Sequence, residues 1–171
     1  MNQKIFVISD LHFSHLNMAI SRGFETIEEH DEHIIENWNK VVNKKDTVWI
    51  LGDITMEKVS PYPLLDRLNG IKNVVLGNHD MPQHTHIMMK HVNKVCSVFT
   101  KKKVIFTHIP IHPRELNFRY NINIHGHLHK HKVTKITGSG IDEREVPDDR
   151  YINVCCENVK FTPVLLNTLL N

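Results

Sequence analysis

Short runs of β-branched and apolar residues punctuate the chain, and most of them stop abruptly at small or polar residues. Ile5-Phe6-Val7-Ile8 stops at Ser9-Asp10, and the run 47–51 stops at Gly52-Asp53. The run 73–76 gives way to Gly77-Asn78-His79-Asp80, and 103–106 gives way to Thr107-His108. The run 122–124 leads into Gly126-His127-Leu128-His129, and two further runs lie at 151–154 and 163–166. Short continuous apolar runs bounded by turn residues read as buried strands.

Helical spacing appears between the first two strands. Ile27, His30, Ile34, Ile35, Trp38, Val41 and Val42 recur on one face, with Glu28, Glu29, Asp31 and Glu32 interleaved. Ser60-Pro61 opens a second predicted helix through Leu64, Leu65 and Leu68, closed by Gly70. A third follows Pro82 through Met88 and Met89. Strand–helix–strand order argues for an α/β fold. The second half is richer in strands, so the sheet is expected to be mixed. The segment 138–149 reads as a mobile surface loop.

Composition narrows the field. A length of 171 residues suits one domain, 1–171. With 40% hydrophobic and 23% charged residues, neither a disordered nor a membrane composition applies. No stretch approaches the roughly 18 apolar residues of a membrane span. The run at Ile5–Ile8 is too short for a secretory leader, so none is expected. Three cysteines, two of them adjacent, make no disulfide framework, which points to a reducing, cytoplasmic setting. A formal charge of +2 gives no strong nucleic-acid signal, and Lys101-Lys102-Lys103 reads as a basic turn between strands. Histidine stands out instead: 14 residues direct attention to metal ligation.

In open α/β sheets, ligands bind beyond the carboxyl ends of the strands. Asp10, His12, Asp53, Asn78, His79, His108, His127 and His129 all follow predicted strands, and can converge there though far apart in sequence. Carboxylate, carboxamide and imidazole without thiolate suit Mn²⁺, Fe²⁺, Ni²⁺ or Zn²⁺. Cys155-Cys156 reads as core, and alternation along the strand turns His125 away from the ligand set. His84, His86 and His91 read as a wet helix face.

Asp10-Leu11-His12, Gly52-Asp53, Gly77-Asn78-His79-Asp80, Thr107-His108 and Gly126-His127-Leu128-His129 resemble, in order, the five signature blocks of the calcineurin-like metallophosphoesterases, in particular the small bacterial and phage-type members. The resemblance implies a mixed β-sandwich flanked by helices, in four α/β/β/α layers. It implies two divalent ions per chain, manganese foremost. Asp10, His12 and His129 would bind the first; Asn78, His108 and His127 the second; Asp53 would bridge them. His79 would be the non-ligand catalytic histidine, oriented by Asp80. His15, Arg22, His112 and Arg114 are candidates for the phosphate-approach side, with solvated loop positions as the alternative.

Two ions sharing a carboxylate clamp an in-line phosphoryl displacement and activate a water between them. The expected activity is hydrolysis of a phosphate ester by attack of a metal-bridging hydroxide. A small phosphodiester, such as a cyclic nucleotide or nucleotide diester, is favoured because no inserted cap is evident. The alternatives are a phosphomonoesterase or protein phosphatase, and a non-catalytic protein-binding scaffold of the same fold. Retention of His79 and Asp53 argues against the scaffold.

Overall fold

The computed structural model describes residues 3–170. A five-stranded sheet is built from β1 (Ile5–Ile8), β2 (Thr47–Ile50), β3 (Ile71–Val75), β4 (Lys94–Cys96) and β11 (Val164–Leu165). Its order is β11-β1-β2-β3-β4, with β1 to β4 parallel and β11 antiparallel to β1. A second sheet contains β5 (Phe99–Lys101), β6 (Val104–Phe106), β7 (Ile122–His125) and β10 (Tyr151–Asn153), in the order β10-β7-β6-β5. Here β6, β7 and β10 are parallel and β5 is antiparallel to β6.

Strand alternation assigns the layers. Phe6, Ile8, Val48, Ile50 and Val74 point to one side of the first sheet and share a core with Ile34, Ile35 and Trp38 of helix α2 (Ile27–Val41). Val7, Trp49, Leu51 and Val75 point to the other side and pack on Val104, Phe106, Ile124 and Val154. The second sheet's outer face is crossed by the chain beyond β6, where Ile111 bonds the side chains of Asn123 and Tyr151 before a 3-10 segment at Pro113–Asn117. The architecture is the expected mixed α/β sandwich with helical elements on its flanks.

Local sequence explains the elements. Thr26 caps α2 by accepting the Glu29 N–H, and Glu28 and Glu29 face the positive end of the helix dipole. The predicted 60–70 helix is instead a 3-10 segment, Tyr62–Arg67. Pro61 and Pro63 remove two backbone donors, and the remaining groups close the tighter pattern, Leu64 N to Pro61 O at 2.9 Å and Leu68 N to Leu65 O at 3.1 Å. The third predicted helix divides into a 3-10 turn at Pro82–His84 and the single turn α3 (Thr85–Met88). Helix α1 (Leu16–Ser21) buries only Ala19 and gives no periodic signal. The segment 138–149 is no structureless loop: β9 (Arg144–Pro147) pairs with β8 (Thr134–Thr137) in an exposed hairpin. Among the described residues, no helix is long and apolar enough to cross a membrane.

Candidate metal centre

The two sheets are joined where β1 ends. Ser9 bridges Cys155, with Ser9 N donating to Val154 O at 2.9 Å and Cys156 N to Ser9 O at 3.1 Å. At this seam two groups of candidate ligands gather, Asp10–His12–His129 and Asp53–His108–His127. Each triad draws on turns from both sheets. The carriers are tight turns: Asp10, His12, Asp53, His127 and His129 all have positive φ, between 48° and 68°. Such backbone costs about 1–3 kcal/mol per residue and clusters at functional sites. The glycines of two signature blocks are required by close approach. A Cβ on Gly126 would fall on the Ser9 hydroxyl and the Asp10 carboxylate, and one on Gly77 would fall on Asp53.

Both carboxylates give one oxygen to the protein and keep one for the centre. Asp10 Oδ2 accepts from Ser9 Oγ at 2.5 Å, His127 N at 3.0 Å and Cys155 Sγ at 3.1 Å. Its Oδ1 has no hydrogen-bond partner and lies 3.7 Å from His12 Nε2 and 4.0 Å from His129 Nε2. Asp53 Oδ1 accepts the His79 N–H at 2.9 Å. Its Oδ2 lies 3.2 Å from His108 Nε2 and 3.9 Å from His12 Nε2, between the two triads. Asn78 Oδ1 is 2.9 Å from His108 Nε2, beside the second triad.

The imidazoles are oriented from behind. His108 Nδ1 donates to Leu51 O at 2.8 Å, and His129 Nδ1 faces Glu157 Oε1 at 3.0 Å, so both turn Nε2 to the centre. Burial opposes charge on Asp10, but His12, His108, Ser9 and Cys155 outweigh it and hold the carboxyl far below its usual range. Burial likewise opposes charge on Asp53, and the bond to His108 wins, so its pKa is lowered. The pKa of His108 is raised because Asp53 outweighs burial; that of His129 is raised, chiefly by Glu157. Glu157 itself, despite burial, is held at about 2 by His129 and Arg22.

These groups fit divalent ions. Asp10 Oδ1 and His12 Nε2 are buried without partners, a costly state that a cation at the triad would relieve. The donors are oxygen and nitrogen, as the sequence suggested.

Two assignments change. Asp80 does not orient the His79 ring. Its buried carboxylate accepts the N–H groups of Asp53 at 2.8 Å, Gly77 at 2.9 Å and Ile54 at 3.1 Å, while His79 Nδ1 faces Glu57 Oε1 at 3.2 Å. Arg22 is not available to a substrate. Its side chain is 1% exposed and ion-paired to Glu157 at 2.9 Å. Cys155 is buried as expected, but its thiol serves Asp10. His15 stays at the site, its ring 6.4 Å from that of His12, with Nδ1 buried and unpartnered. His112 and Arg114 are exposed at the Pro113–Asn117 segment, where His112 Nδ1 accepts the Arg114 N–H. His79 lies outside both triads, partly exposed, its ring 6.0 Å from that of His12. A cavity of about 340 Å³ opens beside Asn78 and His108, lined also by Leu76, Gly77, Ser97, Thr107 and Ile109.

Sequence comparison agrees with the site. The chain is 32% identical to the uncharacterized protein MJ1445 of Methanocaldococcus jannaschii over 173 aligned positions, covering 98% of this chain and 90% of that protein. It is 35% identical to the gene 66 protein of Mycobacterium phage L5 over 106 positions, 59% of this chain and 48% of the phage protein. The crystal structure of AQ665, a protein of unknown function from Aquifex aeolicus, superposes with a TM-score of 0.71 at 22% identity over 98% of both chains, a likeness of fold. The calcineurin-like phosphoesterase superfamily domain matches residues 3–153, a span that holds every turn supplying a ligand to the two triads. The chain therefore belongs to the calcineurin-like phosphoesterase superfamily, a family of metal-dependent hydrolases.

Proposed function

We propose that the protein is a binuclear metal-dependent phosphodiesterase acting on a small ester, such as a cyclic nucleotide or nucleotide diester, in a cytoplasmic setting. The observation that carries this reading is Asp53 Oδ2, a carboxylate oxygen within 4 Å of an imidazole nitrogen from each triad. When bound, two divalent ions, manganese foremost and otherwise iron, nickel or zinc, would polarise the phosphoryl oxygens and lower the pKa of a water at the centre. Asp10, His12 and His129 would hold one ion; Asn78, His108 and His127 would hold the other, with Asp53 between. Asn78 adds a ligand oxygen without a further negative charge. His79, partly exposed and outside both triads, is free to give a proton to the leaving oxygen or a hydrogen bond to the developing oxyanion. The exposed position of Asn78 favours a small, unhindered ester.

The test is a panel of phosphate esters assayed with added Mn²⁺, including 2′,3′- and 3′,5′-cyclic nucleotides, linear nucleotide diesters and monoesters. Turnover of diesters above monoesters is expected. Preference for monoesters would overturn the diester assignment. Silence on every ester, with metal bound, would favour the scaffold reading.

A further inference from the structure

Glu157 and Arg22 belong to neither triad, yet both are committed to the first. Their side chains are 7% and 1% exposed. Arg22 Nε donates to Glu157 Oε1 at 2.9 Å, and the same oxygen faces His129 Nδ1 at 3.0 Å. The other guanidinium nitrogens donate to backbone carbonyls, Nη2 to Asp10 O at 2.7 Å and Nη1 to Leu11 O at 3.1 Å, and Nη1 also lies 2.9 Å from His30 Nε2. Those carbonyls lie in the turn where Asp10 and His12 have φ of 60° and 48°. One ion pair therefore reaches all three ligands of the first triad: His129 through its ring, and Asp10 and His12 through the backbone that carries them. The second triad has other supports, Leu51 O behind His108 and the amides fixed by Asp80 around Asp53.

A buried ion pair is a poor device for stability alone. Desolvating both charges offsets much of their attraction, and a well-packed apolar pair of similar volume often does as well. The arrangement makes sense for orientation. A carboxylate behind a ligating histidine fixes its tautomer and increases its basicity, and loss of such a partner typically costs 10–100-fold in metal affinity.

Granting the two-metal reading above, we propose that Arg22 and Glu157 are positioning residues for the first metal site alone. Glu157 keeps the proton of His129 on Nδ1 and its Nε2 lone pair toward Asp10, and Arg22 clamps the Asp10–His12 turn against it.

Mn²⁺ binding by the wild type, Glu157→Gln and Glu157→Ala tests this, with ions counted by equilibrium dialysis and elemental analysis. The wild type is expected to bind two. One site should weaken about 10-fold in Glu157→Gln and toward 100-fold in Glu157→Ala, with the other unchanged. The surviving site should be the one that His127→Ala removes, so the Glu157→Ala/His127→Ala double variant should bind none at concentrations that load the wild type. Fewer than two ions on the wild type would defeat the two-metal reading itself. Two ions on the wild type with unchanged affinities in Glu157→Ala, or equal weakening of both sites, would overturn the positioning role. If Glu157→Ala fails to fold, imidazole ¹⁵N shifts of the metal-free wild type at pH 9 decide it. A proton on His129 Nδ1 supports the proposal, and one on Nε2 overturns it.

Discussion

Asp80 Oδ2 accepts the backbone N–H of Asp53 at 2.8 Å. The contact puts the last residue of the Gly77–Asp80 block behind Asp53, the carboxylate between the two triads, and its two further amide bonds fix the turns on either side. Asp80→Asn offers one carbonyl oxygen where two carboxylate oxygens served three donors. A buried unsatisfied amide costs about 1–3 kcal/mol, and a loss of that size in unfolding free energy is expected. Urea denaturation checks it; a midpoint equal to that of the wild type would show that Asp80 does not hold these turns.

Asp53→Asn is expected to lower turnover by more than about 100-fold and to weaken metal binding at both sites together. Its Oδ1 already serves the His79 amide, so the substitution changes the charge and donor character of Oδ2, the oxygen that lies between the two triads. Turnover at wild-type level with excess Mn²⁺ would reduce Asp53 to a turn residue.

His79→Asn should leave both ions in place while slowing hydrolysis by about 10²–10⁴-fold. The loss should be largest for alkyl esters and small for p-nitrophenyl esters, whose leaving group needs little protonation. Equal slowing of both would leave oxyanion stabilisation as the role of His79. Loss of metal would make His79 a ligand.

Asp46 gives a pH-dependent contribution away from the site. Its carboxylate accepts the N–H groups of Asn43 at 2.9 Å and Lys4 at 3.0 Å, and these bonds, that of Asn43 foremost, lower its pKa. A carboxyl lowered in the folded state stabilises fully above the unfolded value of about 3.9, and that stability disappears as pH falls through the folded value. The wild type should be more stable than Asp46→Asn from pH 7 to about 5, and the gap should close as pH falls below about 4 and through the lowered folded value. A gap that persists into strong acid would assign the effect to packing.

What the sequence disclosed depended on the range of the interactions. Strands such as Ile5–Ile8 and Thr47–Ile50 were legible because burial on both faces makes them continuously apolar. The candidate ligands were legible because each sits in a short turn soon after a strand. The strands Lys94–Cys96 and Phe99–Lys101 were not, being three residues long and half exposed. Arg22 and Glu157 could not be paired from local pattern, since 135 positions separate them. The Gly77–Asp80 block located Asp80 but could not say that its partners were backbone amides 26 and 27 positions earlier.

Neither triad can be completed by one sheet. Asp10 and His12 wait on His129, and Asp53 waits on His108 and His127. During synthesis the first 80 residues carry Asp10, His12, Asp53 and Asn78 out of the ribosome with both sites still incomplete. A chain that ends before His108 therefore lacks part of each group, and a divalent ion held by either group would require the turns of both sheets to be in place. By the same linkage, a metal bound across the two sheets would stabilise their docking by RT ln(1 + [L]/Kd) at each site.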